Sequence, residues 1–398
     1  LTIWGNDKRI APPEYAEHRR VIAPVSAAIR KFWERLRIKI ERIQSKTVVP
    51  SEADDAFWKR NFVKQGAQVR PKARCRIWRR ICLLKGCEPM LISASRRTDI
   101  PAYYADWFFS RLQDGFVTVR NPMRFRHISR VPLTPDVVDG IVFWTKNPQP
   151  MMGRLDSLRD YVYYFQFTLT PYGEDVEPHV PPTDEVVVPT FIKLAKTVGK
   201  ERMVWRYDPI LLSGVYTVEY HVERFKCLAG RLAGFTEKCT VSFLDMYRSI
   251  KKNAAQLGVI EPTPAQKEDL LGQFSEIAKA AGIYIDTCAE DFDVTRLGIG
   301  RASCIDKARL ERIGGYRLNI EKDKNQRPAC LCAQSIDIGA YDTCQSGCLY
   351  CYANHSQKKV SQNAALHDVN SPLLFGQVTE GDVVKEREVK SYRVGETG

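Results

Sequence analysis

From residue 91 onward, short apolar runs rich in β-branched and aromatic residues recur along the chain, and each stops abruptly in polar residues. The run at 91–95 ends in Arg96-Arg97-Thr98-Asp99, and the run at 141–144 ends in Thr145-Lys146-Asn147-Pro148. The run at 163–170 ends near Glu174 and Asp175, and 203–205 leads into Arg206-Tyr207-Asp208-Pro209. The runs at 240–244 and 283–285 end at Asp245 and Asp286, with Cys288 and Glu290 just beyond the latter. The last run is 336–339. Between the runs lie stretches with helical spacing, at 101–113, 184–198, 217–232 and 264–281; the last sets Leu270, Leu271, Phe274, Ile277 and Ala278 on one face. Strands that alternate with helices predict parallel pairing, because each return to the sheet needs a crossover. The expected fold is therefore α/β, a full or partial (β/α) TIM-like barrel, with a doubly wound open sheet as the alternative.

In such barrels chemistry sits at the C-terminal ends of the strands. That position selects Arg96, Arg97, Lys146, Arg206, Asp208 and Glu290 as candidates for holding a cofactor or substrate. The competing reading is local: Asp208 before Pro209 and Asn147 before Pro148 are also good turn residues.

Composition narrows the class. A chain of 398 residues with 44% hydrophobic content suits a folded globular protein, and no apolar run approaches a membrane span. The first residues show no apolar signal region, so a cytoplasmic protein without membrane partners is expected. Its twelve cysteines then read as thiols or metal ligands rather than disulfides. The net charge of +13 is unevenly spread: residues 1–89 carry 21 Lys and Arg against 9 Asp and Glu, and the rest is almost neutral. Global charge is thus no argument for nucleic acid binding, although a local basic groove is compatible with it. The first methionine is Met90, and the apolar runs begin there. The natural start is expected at Met90, with 1–89 a basic extension, 90–376 the α/β domain and 377–398 a tail. Against that start stand Ile29, Phe32, Trp33, Leu36, Ile40 and Ile43, which recur at helical spacing after Ser26, a fitting cap.

The densest chemistry follows the last apolar run. Cys344, Cys348 and Cys351 are spaced C-x3-C-x2-C in Cys344-Gln345-Ser346-Gly347-Cys348-Leu349-Tyr350-Cys351-Tyr352-Ala353. Three thiolates on one loop can hold three irons of a cubane and leave the fourth without a protein ligand, whereas most cubanes use four cysteines. A structural zinc site and unligated thiols remain the other readings. Cys288, Cys304, Cys330 and Cys332 lie upstream and make a second candidate set, for another iron–sulfur cluster or a zinc ion.

The cysteine spacing, with an aromatic before the last cysteine, resembles the radical S-adenosylmethionine (SAM) superfamily. The words around it look most like the spore photoproduct lyase-type, DNA repair photolyase-like branch. That resemblance implies a [4Fe–4S] cluster on Cys344, Cys348 and Cys351, SAM bound at its open iron, and Tyr350 against the adenine. It also implies a reducing donor such as a flavodoxin or ferredoxin, and hydrogen abstraction from an unknown substrate. From Met90 to about residue 376 the chain also resembles the domain-of-unknown-function family numbered 1848. Ser95-Arg96-Arg97-Thr98-Asp99-Ile100-Pro101, Phe143-Trp144-Thr145-Lys146-Asn147-Pro148, Arg206-Tyr207-Asp208-Pro209, Asp323-Lys324-Asn325-Gln326-Arg327 and the cysteine loop carry that match. In radical SAM enzymes the cysteine loop follows the first barrel strand; here it comes last, which implies a circular permutation with 335–339 as the first strand. A photolyase-like DNA-repair protein and a zinc-stabilised, non-enzymatic binding protein are the alternative functions.

Overall fold

A computed structural model describes residues 88–396 apart from 289 and 291. The basic extension up to residue 87, with the helix expected at 26–43, lies outside the described residues.

Eight parallel strands form the main sheet: β1 (Leu91–Ala94), β2 (Gly140–Thr145), β3 (Tyr163–Thr168), β4 (Met203–Ile210), β5 (Lys238–Phe243), β6 (Tyr284–Thr287), β7 (Gly300–Arg301) and β8 (Ile336–Asp337). They lie side by side in the order β8-β1-β2-β3-β4-β5-β6-β7. The seven apolar runs account for all of these strands but β7. β8, last in the chain, pairs with β1 through Ile336 opposite Ile92 and Asp337 opposite Ser93.

Alternation along the strands builds two different faces. Ile92, Ile141, Phe143, Phe165, Phe167, Trp205 and Tyr207 share one core with helices α1 (Ala105–Asp114), α2 (Val188–Val198), α3 (Val218–Leu232) and α4 (Pro264–Ala280). The rings of Trp205, Phe225 and Phe274 stack in series, at 4.9 Å and 3.9 Å between centroids, and so tie β4 to α3 and α4. The intervening residues Leu91, Val142, Tyr164 and Val204 pack instead against Ile305, Leu310 and Leu318, from the turn before α5 (Lys307–Gly314), the helix itself and the strand after it. Followed toward the strand ends, this second face turns polar: Leu91 gives way to Ser93 and Ser95, Tyr164 to Gln166 and Thr168, Val204 to Arg206 and Asp208. The fold thus places a polar floor at the C-terminal ends of the strands.

Helix boundaries follow their caps. Thr217 caps α3 by accepting from the Tyr220 N–H, and Thr263 with Gln266 forms a capping box ahead of Pro264 in α4. The helix expected at 101–113 is two, Ile100–Tyr103 and α1, separated at Tyr104. Where 184 was expected to start a helix, a wider turn over Thr183–Val187 precedes α2.

The C-terminal segment is stitched onto the same body. Val383–Glu386 extends a small sheet with Phe116–Arg120 and His127–Pro132, and Arg393–Glu396 pairs with Tyr316–Leu318. The buried Asp139 carboxylate anchors it, accepting from Ser391 Oγ (2.6 Å) and the Tyr392 N–H (2.8 Å) with Arg393 at 3.4 Å. Among the described residues no helix is long and apolar enough to cross a membrane.

Candidate metal centre and cavity

A cavity of about 560 Å³ opens on the polar floor at the strand ends. Seven cysteines line it: Cys344, Cys348 and Cys351 of the C-x3-C-x2-C loop, and Cys288, Cys304, Cys330 and Cys332. Arg96, Arg97, Lys146, Arg206, Asp208 and Tyr350 line it as well. Glu290 is not among the lining residues; its carboxylate accepts from the Phe243 N–H at 2.9 Å and braces the end of β5.

The cysteine loop leaves the end of β8 at Gly339. A Cβ there would stand 2.1 Å from Ser95 Oγ and 2.6 Å from Ser95 Cβ, so glycine lets the loop press against the chain leaving β1. Asp337 locks the same junction. It accepts from Ser93 Oγ (2.7 Å), Ser95 Oγ (2.6 Å) and the N–H groups of Arg96 (2.9 Å) and Gly339 (3.0 Å). The two ends of the loop are clamped together: the Asp342 N–H donates to the Ala353 carbonyl (2.9 Å), His355 Nδ1 meets Asp342 Oδ2 (2.9 Å), and Asn354 Nδ2 donates to the Cys344 carbonyl (2.7 Å). His355 therefore shapes the loop from outside. Its middle is hung on the chain after β3, with the Leu349 N–H on the Val176 carbonyl (3.0 Å) and the His179 N–H on the Ser346 carbonyl (3.2 Å).

All three loop thiols are half-buried, and the exposure they keep is toward the cavity. Burial raises their pKa values, that of Cys344 to about 12. Backbone N–H groups of Ala353 and Asn354 partly offset that rise at Cys351, and Ser346 does so at Cys344. Unligated, these thiols hold their protons; a bound metal would displace them.

Tyr350 and Lys146 meet at a carboxylate the sequence did not single out. Glu177 Oε1 accepts from Lys146 Nζ (2.8 Å), Thr170 Oγ1 (2.7 Å) and the Tyr350 hydroxyl. The ammonium also lies 5.7 Å from the Tyr350 ring centre. Burial opposes charge on Lys146, but Glu177, Cys348 and Asp99 together outweigh it and raise its pKa, so the amine stays protonated. Asp337 is the other missed residue, and it did carry a signal: a lone carboxylate inside an apolar run needs partners. Glu177 carried none, since it sits in an acidic, proline-rich stretch without periodicity.

On the other side lie four more thiols. Cys288 Sγ is 3.5 Å from Cys304 Sγ, and Cys330 and Cys332 line the same cavity. Arg206 Nη1 donates to Cys304 Sγ at 3.0 Å, while its Nη2 pairs with Asp208, which in turn accepts from Ser242 Oγ. Hydrogen bonds from Cys288 and Cys332 lower the pKa of Cys304 against the cost of burial, with Arg206 assisting. The Arg96 guanidinium lies over the Trp144 ring (5.8 Å) and within the field of Asp337, Cys332 and Cys304. Tyr164 and Gln166 of β3 fix the Cys304 backbone by donating to its carbonyl at 2.6 and 2.8 Å. Among the described residues no three His, Cys, Asp or Glu side chains converge on a point ready for a single metal ion.

Residues 91–353 match the family described as "Domain of unknown function (DUF1848)", a span that opens at β1 and closes just after the cysteine loop. No curated protein matches the chain.

Proposed function

The chain belongs to the DUF1848 family, and from that premise and its own cavity we propose that it is a radical SAM-type iron–sulfur enzyme. The observation that carries this reading is the C-x3-C-x2-C loop itself. It is held rigidly at the C-terminal edge of a parallel sheet, with three thiols facing a cavity of about 560 Å³.

The donor set fits the cofactor. Cys344, Cys348 and Cys351 would hold three corners of a [4Fe–4S] cluster, each thiolate on its own iron, so they need not converge on one point. The backbone N–H groups that lower the pKa of Cys351 and Cys344 against burial would also offset thiolate charge there. Such a cluster, when bound, supplies an electron and one open iron for the amino and carboxylate groups of SAM. A flavodoxin- or ferredoxin-like donor would provide the reductant. The chain's own part is placement. Glu177 fixes the Tyr350 hydroxyl and leaves its ring as a flat wall beside Cys348 and Cys351 for an adenine. Arg96, Arg97 and Lys146 bring positive charge to the mouth of β1 and β2, where a carboxylate can be held.

The winding supports the same reading. The strand order advances one step at a time and never reverses, as in a barrel and unlike the order of doubly wound sheets. β8 occupies the place before β1, where a permuted first strand belongs, so we read the fold as an open, circularly permuted (β/α) barrel.

The test is anaerobic iron and sulfide analysis with electron paramagnetic resonance (EPR) of the reduced protein, with and without SAM. We expect a cubane signal that shifts on addition of SAM and disappears in Cys344→Ala, Cys348→Ala or Cys351→Ala. Reconstituted protein whose signal ignores SAM and survives those substitutions rules the reading out.

A further inference from the structure

We propose that Cys288, Cys304, Cys330 and Cys332 form a second metal–sulfur site, a four-thiolate iron–sulfur centre that shares the cavity with the cysteine loop. The inference stands on residues that the proposed function does not use, so either can fail alone.

Three separate segments bring these thiols together: the end of β6, the turn after β7, and the chain ahead of β8. Buried cysteines usually behave as small hydrophobes packed on carbon. Here Cys288 and Cys304 set their sulfurs 3.5 Å apart, and Cys330 and Cys332 line the same cavity. They are also presented to a guanidinium group. Arg206 is nearly enclosed, with 9% of its side chain exposed, and it spends one of its N–H groups on Cys304 Sγ at 3.0 Å. A buried cation gains little from neutral thiols and much from thiolates. The Ile305 N–H adds a further donor to Cys332 Sγ at 3.4 Å. Hydrogen bonds and positive charge around the sulfurs are what a metal–thiolate centre requires of its surroundings.

Convergence decides for a cluster over zinc. A single ion needs its ligands to meet at one point, and among the described residues no three of these side chains do so. A cubane offers each thiolate its own iron, and the Cys288 and Cys304 sulfurs would part from their 3.5 Å contact to reach two of them. Four protein ligands would leave no open iron, so this centre would not bind SAM. That difference separates it from the Cys344–Cys348–Cys351 site in an experiment.

The chain carrying Cys344→Ala, Cys348→Ala and Cys351→Ala is reconstituted anaerobically with ferrous iron and sulfide. We expect it to retain about four irons and four sulfides per chain, with an EPR signal that SAM leaves unmoved. Adding Cys304→Ala and Cys332→Ala should remove both. In the otherwise intact chain, the same two substitutions should halve the iron, and Arg206→Gln should move the reduction potential of the SAM-insensitive signal to more negative values. The idea is overturned if the folded triple variant takes up no iron and sulfide, or one zinc ion without sulfide. A Cys288–Cys304 disulfide in the anaerobically purified protein overturns it too. Should the triple variant fail to fold, unchanged iron in the intact chain carrying Cys304→Ala and Cys332→Ala decides against it equally.

Discussion

His221 is fully buried on the inner side of α3, between two partners that fix its tautomer. The Leu211 carbonyl can only accept, so Nε2 carries the proton (2.9 Å) and Nδ1 accepts from the Tyr207 hydroxyl (2.8 Å). Burial lowers its pKa from 6.5 to about 4. The unfolded chain therefore binds the proton first as pH falls. The stability held by neutral His221 is complete above pH 6.5 and is lost progressively toward pH 4. We expect this one group to cost the fold about 2 kcal/mol between pH of about 7 and about 5. Urea unfolding at both pH values checks it: His221→Gln should lose that share of the pH dependence, and an unchanged slope would show that the ring titrates freely. Asp337 and Glu177 illustrate the same economy with carboxylates, each surrounded by donors that leave it one conformation.

At the scale of elements, the decisive contact is the seating of β8 on β1. It is two residues of pairing, secured by Asp337 below and the Gly339–Ser95 approach above. Gly339→Ala forces the Ser95 side chain or the backbone to shift. We expect a loss of about 1–3 kcal/mol, read as a lower melting temperature, together with weaker metal retention because the cysteine loop departs from that point. A variant as stable as wild type would mean that Ser95 yields at no cost.

The elements were largely legible in the sequence, for a physical reason. Strands covered on both faces read as continuous apolar runs, and 141–144 does so plainly, while 91–95 and 163–170 start apolar and admit polar residues only toward the floor of the cavity. β7 is two residues, Gly300 and Arg301, too short to leave a pattern. β4 runs past the expected 203–205 to Ile210, because Arg206 and Asp208 point to the polar floor rather than ending the strand. Of the site, the seven cysteines and the strand-end charges could be named from position alone. Their grouping could not: Cys304 meets Arg206 across 98 residues, and Lys146 meets Glu177 across 31, through folding alone.

For the molecule as a whole, one face of the sheet is sealed by helices and the other is plugged near its base by the chain around α5, which leaves the strand ends as the place for chemistry. The C-terminal segment fastens this assembly through Asp139. A chain ending at Lys390 loses Ser391, Tyr392 and Arg393 and strips that buried carboxylate of its partners. We expect a cost of about 1–3 kcal/mol, visible as a lower urea midpoint; an unchanged midpoint would mean that water replaces the lost donors without penalty.

β8 is first in space and last in synthesis. A nascent chain can lay down β1 through β7 while the edge of β1 still waits, bare, for its neighbour. A copy whose translation stops early thus carries an unpaired strand edge, the kind of template on which chains aggregate. It also lacks the three loop cysteines. The seating of β8 on the bare edge of β1 and the arrival of the loop that carries Cys344, Cys348 and Cys351 therefore follow one another directly along the chain.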